Sequence, residues 1–154
     1  MSREIARILV PVDGSEPALE GLRFAETLAQ ASHASLLILH VMEAAMLEVL
    51  KVKNVGDDRF GGLNESELET LVRRHIMDPY FETAKQVMEN DALEIELHSA
   101  TGSPSAEICK FAKEADVDLI VMGARGASDF KELLLGGVAS QVLHHAPCPV
   151  TIVR

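Results

Sequence analysis

Basic side chains are scarce in this sequence: 14 lysines and arginines stand against 24 aspartates and glutamates, a formal net charge of −10 over 154 residues. Such an acidic balance repels the phosphate backbone of nucleic acid and an anionic membrane surface, so neither is an expected partner. A nucleotide remains open, because backbone N–H groups and a helix dipole hold a short phosphate chain without any excess of lysine or arginine. Cysteine is scarcer still. Cys109 and Cys148 form no C-x-x-C pair and have no histidine at metal-ligand spacing, so both read as reduced core residues and no metal site is expected. No apolar run approaches the ~20 residues of a membrane span. The apolar part of the opening ten residues is too short for a secretory signal. A cytoplasmic protein with no membrane insertion is therefore expected. Catalytic patterns are missing as well. There is no complete P-loop, no nucleophile–base pair stands out, and Ser15, Ser103 and Ser128 lack the elbow context that exposes a catalytic hydroxyl. His40 and His98 are isolated and read as core, while His144 and His145 suit the C-terminal end of a helix.

What is present is apolar and periodic. A hydrophobic content of 47% in a chain of this length supports one sizeable core, and a single domain over residues 1–154 is expected. Four short runs rich in Val, Ile and Leu read as strands: Ile8 to Val12, Leu36 to Val41, Leu119 to Met122 and Val150 to Val153. A fifth, Leu93 to Ser99, alternates strictly and reads as a strand with one wetted face. Helical periodicity lies between them, in Leu19, Leu22, Ala25 and Leu28, then in Leu68, Leu71, Val72, Phe81, Ala84 and Val87, then in Ile108, Phe111 and Ala112. Strand and helix alternate, so the fold class is α/β: a doubly wound, flavodoxin- or Rossmann-like sheet of five parallel strands with helices on both faces. The nearly all-apolar first, second and fourth strands belong at the centre. The alternating third takes one rim, and the last, entered through Pro147-Cys148-Pro149, takes the other, because proline cannot donate to a ladder. The expected order is 3-2-1-4-5. Residues 43–64, with Gly56, Gly61 and Gly62 after a possible short helix at 44–51, read as a loop that serves as a lid or a protein-docking surface. At Asp78-Pro79 the next helix breaks or kinks, or Asp78 caps a new helix with Pro79 at its first position.

In that order the crossovers leave the first and fourth strands in opposite directions, and the crevice between their carboxyl ends is where such sheets bind ligands. Asp13-Gly14-Ser15 stands at one lip and Gly123-Ala-Arg-Gly126 at the other. Gly123, Gly126 and Gly136, followed by Gly137 and a helix start at Val138, have the makings of an anion-cradling loop; the alternative is a tight turn and helix entry with nothing bound. Asp13 and Ser15 are also candidates to cap the helix that starts near Glu16.

The runs Asp118 to Gly126, Leu133 to Gly136 and Val142 to Val150, with Ile8 to Ser15 and Leu39-His40-Val41, resemble the universal stress protein family over essentially the whole chain. The likeness is to its ATP-binding branch, marked by G-x2-G-x9-G-(S/T): Gly123, Gly126 and Gly136 fit, while Gly137 replaces the hydroxyl residue. Ala139 stands where a second hydroxyl is found, and Ser140 is turned about 100° from it on a helix. The resemblance implies ATP or AMP, with or without magnesium, as cofactor. It implies Asp13 near the ribose or base, Pro11 and Val12 lining the adenine slot, Val41 offering its backbone, Met122 and Gly123 as the other wall, and Arg125, Gly126, Gly136, Gly137 and Val138 on the phosphate side. Further implications are a homodimer paired through the C-terminal strand, slow ATP hydrolysis at most, and a regulatory protein partner of unknown identity. The alternative is a stress-protective interaction module that binds no nucleotide.

Overall fold

The computed structural model describes residues 4–48, 64–72, 74, 77–126 and 135–154. Five strands alternate with helices: β1 (Arg7–Pro11), α1 (Glu16–Ser32), β2 (Ser35–Met42), α2 (Glu65–Val72), α3 (Asp78–Val87), β3 (Ile95–Thr101), α4 (Pro104–Glu114), β4 (Leu119–Gly123), α5 (Gly137–His145) and β5 (Val150–Val153). A further helical stretch leaves β2 at residues 44–48. The rest of the expected helix, the glycines at 56, 61 and 62, and Ser128, Leu133 and Leu134 lie outside the described residues.

The sheet is parallel throughout, in the order β3-β2-β1-β4-β5 expected from the sequence. Burial explains the order. Ile8, Leu9 and Val10 of β1 and Leu36 to Leu39 of β2 have no exposed surface, and β4 is buried along its length, as strands covered on both faces must be. No residue of β3 or β5 is fully buried, and both lie at rims. β3 begins two residues later than the alternation suggests, and the expected inward face is imperfect: Ile95 packs on the core while Leu97 is 38% exposed.

Because successive strand residues face opposite sides, the core divides in two. Ile8, Val10, Leu36 and Ile38 meet Leu22, Ala25 and Ala29 of α1 and Phe81 and Ala84 of α3. Leu9, Leu37, Leu39 and Ile120 meet Ile108 and Ala112 of α4 and Val142 of α5. Both cysteines are half-buried against the second cluster, and burial raises the Cys109 thiol pKa. Asp118 fixes the start of the central pair, its Oδ2 accepting from Ala6 N and Arg7 N, each at 3.0 Å.

Two helix starts are set by short polar side chains. Asn64 and Glu67 form a reciprocal capping box at α2, Oδ1 of Asn64 accepting from Glu67 N and Oε2 of Glu67 from Asn64 N. Ser15 caps α1, accepting from Ala18 N at 3.4 Å. The expected break before Pro79 is present: Arg74 and Met77 lie in a wider, π-type turn, and Pro79 sits in the first turn of α3. Asp78 does not cap that helix, a correction to one of the two sequence alternatives. Met77 holds the cap position with helical backbone (φ −79°, ψ −43°) and no side-chain cap bond forms, because the chain enters α3 already helical.

Candidate functional site

Above the carboxyl ends of β1, β2 and β4 lies a cavity of about 430 Å³, within the range of small-ligand pockets. Pro11, Val12 and Asp13 border it from β1 and Val41 from β2; Met122, Gly123, Arg125 and Gly126 come from the end of β4, and Val138 from α5. Those are nine of the residues singled out in the sequence. Gly136 and Gly137 lie outside the lining, just before Val138.

Asp13 does two things at once. Its Oδ1 accepts from Ser15 N at 3.0 Å and from Ser15 Oγ, so it braces the serine that caps α1 while lining the cavity. Gly14 between them adopts φ +80°, and a Cβ there would fall 2.5 Å from the Tyr80 ring. Glycine is required on both counts.

The glycines across the crevice have separate reasons. A Cβ on Gly123 would lie 2.4 Å from the Pro17 carbonyl oxygen, so this glycine lets the first turn of α1 cross β4 closely. Packing, rather than an anion, demands it. Gly136 occupies the cap position of α5 with extended backbone (φ −69°, ψ 160°) and no side-chain cap bond, and its N–H donates to Ala124 O at 2.6 Å. Gly136 is thereby tied to the end of β4, and α5 starts at the cavity, where Val138 and Ala139 line the wall. The first amides of a helix have no partner within it, so this end offers N–H groups and a partial positive charge. Around Gly137 a Cβ would meet nothing within 4 Å.

Sequence reasoning missed several lining residues, among them a stacked ring pair. His40 is buried, as expected of a core histidine, yet it also faces the cavity, and the sole tyrosine of the chain, Tyr80, stacks on it. The Asp78-Pro79 break is the local signal for Tyr80, since it starts α3 where this ring reaches β2. Glu43 and Met46, on the stretch leaving β2, stand at the rim. His144 and His145 lie in the last turn of α5, away from the cavity, with His145 Nδ1 2.9 Å from Gln141 O. Among the described residues no cluster of three potential metal ligands forms, and no helix is long and apolar enough to cross a membrane.

This arrangement has relatives. The chain is 34% identical over 150 residues to universal stress protein YxiE of Bacillus subtilis, covering 96% of this chain and 98% of that one. The solved structure of the universal stress protein UspA of Lactobacillus plantarum superposes with a TM-score of 0.76 at 28% identity, over 99% of this chain and 100% of that one. The universal stress protein of Archaeoglobus fulgidus solved in complex with dAMP shares the fold, with a TM-score of 0.64 at 22% identity over 99% of this chain and 100% of that one. The family pattern of the universal stress proteins runs through residues 4–154, from before β1 to the residue after β5. With both the sheet order and the end-to-end sequence match in agreement, this chain belongs to the universal stress protein family.

Proposed function

We propose that this protein is a cytoplasmic regulator that holds an adenine nucleotide, ATP or AMP, in the crevice between β1 and β4 and acts as a homodimer through β5. The observation that carries the reading is the cavity's polarity from end to end. Near β2 its walls are mostly apolar, with Val12, Leu39, Val41 and Ile108 beside His40 and with Glu43 at the rim, and near β4 it is bounded by Arg125, Gly126 and the start of α5. A base suits the first and phosphates suit the second. Asp13, whose carboxylate can only accept, would take hydrogen bonds from ribose hydroxyls or lie near the base. Backbone N–H groups of Val138 and Ala139 would meet the phosphates, and magnesium, where present, would arrive on the phosphates of ATP. The dAMP complex of the Archaeoglobus fulgidus protein is a precedent for such a ligand on this fold. Nucleotide bound against the Gly123 to Gly136 loop would alter a surface read by a regulatory partner.

Gly137 and Ala139 favour a second reading, a stress-protective interaction module without nucleotide, because neither supplies a hydroxyl to a phosphate. One experiment separates them. The purified protein is denatured and the supernatant assayed for released adenine nucleotide, and the apo form is then titrated with ATP and magnesium by calorimetry. Released nucleotide or saturable heat supports the first reading; neither, even at high ATP, leaves the second.

A further inference from the structure

His40 lies on β2 with 7% of its surface exposed. Its Nδ1 is 2.8 Å from the Val12 carbonyl oxygen. A carbonyl only accepts, so Nδ1 carries the proton and donates, and Nε2 of the neutral ring is a lone-pair acceptor. Nε2 has no protein partner among the described residues, and it is not sealed off: there the one buried side-chain polar atom left without a partner is Nε of Arg7. His40 lines the cavity. Tyr80 covers its face, with ring centroids 4.2 Å apart and planes 17° from parallel, and is itself seated against Gly14. The imidazole is thus fixed from two sides, with one acceptor left to satisfy. A ligand that displaces solvent from this acceptor must supply a donor or leave it unsatisfied, which costs free energy.

Topology says which part of a ligand that donor belongs to. β2 flanks β1 on the side away from β4, so His40 stands two strand spacings, about 10 Å, from the loop that follows β4. A nucleotide with phosphates at Gly126 and the start of α5 brings its base to this end. We propose that His40 is a specificity residue of the cavity, its Nε2 accepting a hydrogen bond from an exocyclic amine of the base. An amino-substituted base such as adenine is then held, and one with a carbonyl in that place, such as hypoxanthine, sets acceptor against acceptor. This rests on the adenine-nucleotide reading above and deepens it.

The test is calorimetric titration with ATP, ITP and 2′-deoxyATP. The wild type is expected to bind ATP about tenfold more tightly than ITP, with 2′-deoxyATP close to ATP. His40→Asn keeps a side-chain amide that donates to the Val12 carbonyl but has nothing at the Nε2 position. It should bind both ATP and ITP at a ratio near one, with circular dichroism melting used to verify its fold. A wild type that binds ITP as tightly as ATP overturns the inference, as does a His40→Asn variant that keeps the wild-type ratio. Discrimination against 2′-deoxyATP that vanishes in His40→Asn, with no discrimination against ITP, moves the acceptor to the ribose and also overturns it. Failure to bind any of the three overturns the nucleotide reading and this inference with it, so the two failures are distinct. A wild type that does not discriminate overturns the inference even if His40→Asn does not fold.

Discussion

A methyl group on Gly123 would sit 2.4 Å from the oxygen and 2.5 Å from the carbon of the Pro17 carbonyl, both backbone atoms in the first turn of α1. No side-chain rotation relieves that contact, so Gly123→Ala must push α1 off β4. We expect a loss of about 2–3 kcal/mol, read as a lower urea midpoint at unchanged m-value. Gly137 is the opposite case, with open space where a side chain would go. Gly137→Ser is expected to leave stability within about 0.5 kcal/mol of wild type. Its hydroxyl, at the first position of α5, supplies a donor to a phosphate, and a gain of ~1 kcal/mol or somewhat more raises ATP affinity about five- to tenfold. Calorimetry on the two proteins checks this, and an unchanged affinity would mean that phosphates do not reach Gly137. In the sequence these glycines belong to one spacing pattern. Only the crossing of α1 over β4, a contact between residues more than a hundred positions apart, tells them apart.

Glu26 shows the same dependence at the level of elements. It is 6% exposed on the core side of α1, and its Oε1 accepts from Glu89 N at 2.8 Å and Asn90 N at 2.6 Å, in the segment that connects α3 to β3. A carboxylate on α1 thereby ends one helix and aims the chain into the edge strand. Glu26→Ala should cost roughly 2 kcal/mol, since two hydrogen bonds to a charged acceptor are lost, and Glu26→Gln, which keeps one acceptor oxygen, less. Hydrogen exchange gives the specific readout: the Glu89 and Asn90 amides should exchange faster in Glu26→Ala while those of β1 do not. Leu22, Ala25 and Ala29 mark the buried face of α1, and Glu26 falls on that face four residues after Leu22, so the sequence shows an anomaly without naming its partner. Sheet order was legible because it follows from burial and from proline's missing donor, both local properties of each strand. Position along the strands was readable to within two residues. The pairing of Tyr80 with His40 was not, because it depends on where the π-type turn before Pro79 directs α3, and no periodicity encodes that direction.

At the scale of the whole molecule the open question is what covers β5. Pro149 O accepts from Ile120 N and Val153 O from Ala124 N, so in the alternating ladder Val150 and Ile152 turn their backbone groups to the free edge. All four residues of β5 are half-buried, α1 and α5 both pack on the strand, and these helices leave Phe24 and Leu143 more than two-fifths exposed. An apolar edge of this kind invites pairing, and a second copy closes it symmetrically, strand to strand. Sedimentation equilibrium should therefore give twice the 16.7 kDa of one chain, and Ile152→Lys, with its fold verified by circular dichroism, should shift the mass toward one chain. A monomeric wild type whose mass Ile152→Lys leaves unchanged would end the dimer proposal. The edge is also tied to the cavity: Ala124, bonded to Val153, is followed at once by Arg125 and Gly126, so the loop that would meet phosphates starts where the pairing strand ends. In the proposed reading nucleotide and partner subunit would act on one stretch of backbone, and because coupling between two binding events is reciprocal, any factor by which the ligand changes dimer affinity would equal the factor by which the dimer changes ligand affinity.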